Sequence, residues 1–68
     1  MTESNRERFG RRLRKARKAA DLTLGDVADK LGVHLITVWK WEHGELNPRA
    51  EQIVPLATVL NVKPETLL

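Results

Sequence analysis

The chain has 68 residues, with 12 Lys+Arg against 9 Asp+Glu, a formal charge of +3 and 41% apolar residues. A chain of about 60 residues buries only about 60% of its unfolded surface, so one small domain is expected, with no room for a second domain or a ligand-sensing module. The absence of cysteine excludes disulfides and thiolate metal sites; no apolar run nears the ~20 residues of a membrane span, and the polar start is no secretory signal, which together read as a cytoplasmic chain.

Met1 to Ser4 read as a disordered tail, and residues 5–68 as one all-α domain, a compact bundle of five short helices with no strand. The first helix is predicted from about Asn5 to Ala20, with Phe9, Leu13, Ala16 and Ala20 spaced for one apolar face. Arg11, Arg14, Lys15 and Lys18 fall largely off that face as a basic stripe. Residues 1–20 hold eight Lys+Arg against two Glu, whereas residues 21–68 hold four against seven Asp+Glu. Such asymmetry fits a polyanionic partner, nucleic acid or an anionic membrane surface, and equally a solvated helix.

Asp21 and Leu22 end the first helix. Thr23 is a good N-cap for a second, with Asp26 three residues on resembling a capping box. Val27, Ala28 and Leu31 supply its apolar face, and Gly32 the left-handed residue that stops it. A third helix spans about Leu35 to His43, with Gly44 as its stop. Asn47-Pro48 reads as cap and first residue of a fourth, running to Leu60 with Ile53, Leu56, Ala57 and Leu60 on one face. Pro55 predicts a kink there, or a short turn before a helix starting near Val54. Pro64 opens a last turn that offers Leu67 and Leu68 for packing.

Residues 24–43, LGDVADKLGVHLITVWKWEH, thus hold two short helices about a glycine turn. Ala28 sits where helices must approach closely, Gly32 where positive φ is needed, and Val33 and Val38 where apolar side chains must be buried, with Trp41 continuing that face. This is the helix-turn-helix spacing, which presents its second helix to a DNA major groove.

The chain resembles the phage-repressor (Cro/XRE-like) helix-turn-helix family, the lambda-repressor-like fold, over about Phe9 to Leu68. The resemblance rests on RLRKAR and LT within 12–23, VADKLGV at 27–33, VWKWEHGELNP at 38–48 and LATVLNV at 56–62. It implies a five-helix domain that binds double-stranded operator DNA as a dimer, usually as a repressor. Carried over by position, it places Leu35, Ile36, Trp39 and Lys40 on the groove side of the recognition helix, 35–43. Leu24 and His34, at two helix starts, fall near phosphates, as do Asn47 and Arg49. It also pairs Arg17 with Glu42 as a structural ion pair that orients the recognition helix. The chain departs from the family where DNA is usually read: glutamine is common at the position of Leu24, a hydroxyl residue at His34, and polar residues at Leu35 and Trp39. Apolar side chains still read the thymine methyl.

The alternatives to DNA contact for Leu35, Ile36 and Trp39 are a protein-interaction patch, as in an antitoxin or adaptor on the same fold, or burial of one of them, Ile36 or Leu35, in the core. His34 and His43 are nine positions apart with no cysteine beside them, so no metal is expected; His34 reads as a phosphate neighbour and His43 as a solvated helix end. Enzyme chemistry has nothing to hold: the one serine is Ser4, no glycine-rich phosphate loop is present, and no cofactor or small-molecule ligand is implied. Val59, Val62, Leu67 and Leu68 offer apolar material for a weak homodimer, formed on DNA, or for closing the core against the first helix.

Overall fold

Ser4 starts the first helix, α1 (Asn5–Ala19), in the computed structural model, which describes residues 2–68. Its hydroxyl accepts the Glu7 N–H at 3.1 Å, and the Glu7 carboxylate accepts the Ser4 N–H at 3.0 Å. This reciprocal capping box satisfies two amides that a helix start otherwise leaves bare. One residue earlier, Glu3 receives two hydrogen bonds from the Arg11 guanidinium, both 3.0 Å. Ser4, expected to lie in a tail over residues 1–4, is instead the helix cap, as its S-x-x-E spacing allows, and Glu3 is tied to α1; Met1 lies outside the described residues.

The second helix, α2 (Leu24–Leu31), begins with the predicted box: Thr23 Oγ1 accepts the Asp26 N–H at 3.0 Å, and Asp26 accepts the Thr23 N–H at 2.9 Å. Gly32 closes it at φ 69°, as expected for a left-handed cap. The third, α3 (Leu35–Glu42), follows after Val33 and His34, and Gly44 ends its trailing turn at φ 71°. The last two are α4 (Ala50–Leu60) and α5 (Pro64–Leu67), with Asn61 left-handed between them at φ 58°. Among the described residues the architecture is five helices without a strand, the all-α bundle expected.

Two details of α4 differ from expectation. Asn47-Pro48 does not start it; Arg49 is the cap, extended at ψ 156°, and its N–H is bound at 2.7 Å by the side chain of Gln52 three residues on. Pro55 neither breaks the helix nor delays its start, which is Ala50 rather than Val54. It lies at the middle of the helix on its exposed side, and the backbone carbonyl it deprives of a donor belongs to Glu51, itself an exposed residue.

All five helices contribute to the core, with Leu13, Val27, Val38, Trp41, Leu56, Leu60 and Leu67 its most deeply buried side chains. Burial of each such side chain contributes about 1.5–3 kcal/mol. Trp41 is core, as its spacing suggested. Leu67 joins it, and Val59 and Val62 pack partly against it, so most of the apolar C-terminal material closes the fold from within. Leu68, by contrast, is 65% exposed. Gly10 is buried on α1 at the crossing with α3: a Cβ there would stand 2.5 Å from the Glu42 carbonyl oxygen and 2.6 Å from that of Trp41. Those helices touch backbone to backbone.

Candidate nucleic-acid interface

The inner arc of α3 is Val38, Trp41 and Glu42, all buried. At 3.6 residues per turn the opposite arc carries Leu35, Ile36, Trp39, Lys40 and His43. Leu35 and Ile36 are 51% and 54% exposed, Lys40 and His43 are exposed, and Trp39 is half-buried. Core packing is therefore excluded for Leu35 and Ile36. The apolar face is turned to solvent because the inner arc is already committed to α1 and α2.

Arg17 and Glu42 fix that commitment. Arg17 Nε meets Glu42 Oε2 at 2.5 Å and Nη2 meets Oε1 at 3.1 Å, a two-pronged pair. The side chains are only 11% and 2% exposed. Arg17 also donates to the Leu22 carbonyl at 2.8 Å, tying the α1–α2 turn to the end of α3. A planar guanidinium making three such bonds holds the pitch of α3 far better than a point charge would. Among the described residues no buried side-chain nitrogen or oxygen lacks a partner.

The helix starts differ in what they offer an anion. The α2 start carries Asp26, whose carboxyl is held below its ordinary range chiefly by the Thr23 N–H, so a negative charge already sits there. Leu24 beside it packs partly against the core, which leaves only its backbone amide for a phosphate. The α3 start has no side-chain cap from His34, which is exposed; the leading amides of Leu35 and Ile36 have no helical acceptor. Asn47 and Arg49 are both exposed, in the α3–α4 connection and at the α4 cap.

Two features escaped the sequence reading. His43 is not merely solvated: its ring stacks on Trp39 with centroids 3.8 Å apart and planes 14° from parallel. Their i, i+4 spacing was the available signal. The basic stripe also reaches the recognition helix, because Arg11, Arg14, Lys15 and Lys18 line an open cleft of about 450 Å³ together with Glu7, Glu42 and His43. Of those cations Arg11 is engaged by Glu3. Among the described residues no acidic and histidine side chains gather as a metal site requires, and no helix is long and apolar enough to cross a membrane.

Comparisons with known proteins agree with this geometry. No curated protein matches the chain. Among solved structures, the restriction-modification controller protein C.AhdI from Aeromonas hydrophila is 34% identical over 91% of this chain and 94% of its own, with a TM-score of 0.85. The clp gene regulator ClgR from C. glutamicum shares the fold at a TM-score of 0.89 and 21% identity, covering 97% of this chain and 86% of its own. The helix-turn-helix domain family matches residues 8–68. In agreement with the Cro/XRE-like resemblance, the chain belongs to the helix-turn-helix domain family.

Proposed function

We propose that the chain is a sequence-specific, double-stranded-DNA-binding transcriptional regulator, a repressor, that inserts α3 into the major groove. One observation carries the reading: α3 is locked from behind by Val38, Trp41 and Glu42 while Leu35 and Ile36, each about half exposed, and Lys40 face outward. A helix held rigidly by one arc and bare on the other is what groove docking requires. Leu35 and Ile36 suit thymine methyls, and Lys40 a guanine edge or a phosphate. His34, Asn47 and Arg49, with the backbone at Leu24, flank that helix and serve the phosphates. The similarity to a controller protein supports the regulatory role. Its place of action is the cytoplasm, where bacterial or phage DNA lies.

One such helix spans few base pairs, so the active species is a two-fold dimer on a palindromic operator. Leu68 and Val54, 65% and 61% exposed, supply the apolar self-contact left after Leu67, Val59 and Val62 turn inward. That contact is small, so the dimer forms on DNA and is weak without it.

The exposed apolar face equally suits a protein partner, as in an antitoxin or adaptor, and one experiment separates the two. Binding to random and to pool-selected duplexes is titrated against salt. DNA binding predicts affinity that falls steeply with salt, as several phosphate contacts require, and a selected sequence that outcompetes random DNA. Weak, salt-insensitive binding with no enriched sequence refutes it and leaves the protein-partner reading.

A further inference from the structure

We propose that His43 is a positioning residue for DNA reading, holding the Trp39 indole in one orientation across the outer arc of α3 without itself touching a base. The inference rests on the major-groove reading above.

Two attachments fix the imidazole. Its ring lies 3.8 Å from the Trp39 ring at 14°, and its Nδ1 is 2.9 Å from the Trp39 carbonyl oxygen. A carbonyl only accepts, so Nδ1 carries the proton and donates. The His43 backbone N–H donates to the same oxygen at 3.0 Å. Ring and main chain of His43 are thus both anchored to the residue whose side chain they cover. Helical side chains lean back toward the helix start, which brings the His43 ring over the turn that bears Trp39. The platform is itself steadied: Gly44 follows at φ 71° and packs on Glu7 of α1, where a Cβ would come within 3.1 Å of the Glu7 side chain.

Trp39 needs such support. It stands between exposed Leu35 and Ile36 on one side and Lys40 on the other, only half-buried. A large indole free to change rotamer would have to be ordered at each docking, which weakens binding and blurs discrimination. Stacking on a ring already hydrogen-bonded to the backbone removes that penalty before DNA arrives.

Two variants test this, His43→Ala and His43→Phe, the second keeping an aromatic face without the Nδ1 bond; far-UV circular dichroism checks that both fold. Time-resolved fluorescence anisotropy of the free protein, with Trp39→Phe used to subtract Trp41, reads indole freedom directly. His43→Ala is expected to add a fast depolarising component that His43→Phe largely suppresses. On DNA, the affinity ratio of a selected site to a random duplex should fall roughly 3- to 10-fold in His43→Ala, the scale of one aromatic pair. Random-DNA affinity and the salt slope should stay unchanged, and His43→Phe should restore most of the ratio. Unchanged Trp39 anisotropy in His43→Ala overturns the proposal. So does an equal loss on both duplexes with a shallower salt slope, which would make His43 a phosphate contact beside the basic cleft. A wild-type chain that prefers no duplex sinks the DNA-reading proposal and the discrimination role with it, while the anisotropy, measured without DNA, still decides whether His43 holds Trp39.

Discussion

Gly10→Ala should destabilise the domain even though it places the best helix former inside a helix. Alanine in place of glycine in a helix interior gains about 1 kcal/mol of propensity. Against this, the new methyl would lie 2.5 Å, 2.6 Å and 2.8 Å from the Glu42 oxygen, Trp41 oxygen and Glu42 carbon, all backbone. No side chain can swing away, so α1 and α3 must separate by several tenths of an ångström along a face that holds Leu13, Val38 and Trp41. Overpacking of a tight core costs about 1–3 kcal/mol, and a rigid backbone obstacle belongs at the upper end. The net expected loss is about 1–2 kcal/mol after the propensity gain, or roughly 4–15 °C in Tm for a domain of this size. Gly25→Ala is the matched control, since its Cβ would meet only Thr23 Oγ1 at 3.7 Å and Leu35 Cδ1 at 3.8 Å, ordinary contacts. Thermal and urea unfolding of both variants decides the matter. Gly25→Ala should match or exceed the wild type. A Gly10→Ala variant as stable as Gly25→Ala would refute the close backbone crossing.

Arg17→Ala should cost on the order of 2–4 kcal/mol by urea unfolding, because it strands the buried Glu42 carboxylate; wild-type stability in that variant would mean the pair contributes nothing net. Arg49→Ala should weaken binding to all duplexes alike and shallow the salt slope by about one unit, whereas Ile36→Ala should relax preference at one or two thymine-bearing positions, read by repeating the pool selection. A palindromic duplex with half-sites about 34 Å apart should take up two chains, while sedimentation of the free protein shows mainly monomer; saturation at one chain per duplex removes the dimer. The Glu7 and Asp26 carboxyls are held low chiefly by the backbone N–H groups of Ser4 and Thr23, so in acid the unfolded chain takes up protons more readily than the folded one. Stability should therefore rise with pH through the carboxylate range and be lost as pH falls through the lowered folded values, and Glu7→Gln with Asp26→Asn should flatten that acid limb in unfolding curves recorded between about pH 2 and pH 6.

Local chemistry made most of the helices legible. Thr23 with Asp26, Gly32 and Gly44 mark starts and stops by interactions spanning four residues or fewer, and such signals survive in sequence. Ser4 with Glu7 is an equally local box, hidden only by the polar composition that made residues 1–4 look like a tail. The α4 start was harder because two caps compete, and a side chain three residues downstream, Gln52, settles it in favour of Arg49. Leu67 and Leu68 differ wholly in burial, yet nothing between adjacent leucines in a four-residue helix tells them apart until the bundle closes. The outer face of α3 was different again. Periodicity groups Leu35, Ile36, Trp39 and Lys40 on one side, but a period says only which residues share an arc, not which way it turns. That orientation is set by Gly10, which admits the α3 backbone, and by Arg17, which grips Glu42. Gly10 carries no local signature, since its reason for being glycine lies more than thirty positions away. The direction in which the recognition helix faces is therefore a property of α1 as much as of α3, and substitutions at Gly10 or Arg17 should alter what α3 reads without either residue lying on the outer arc.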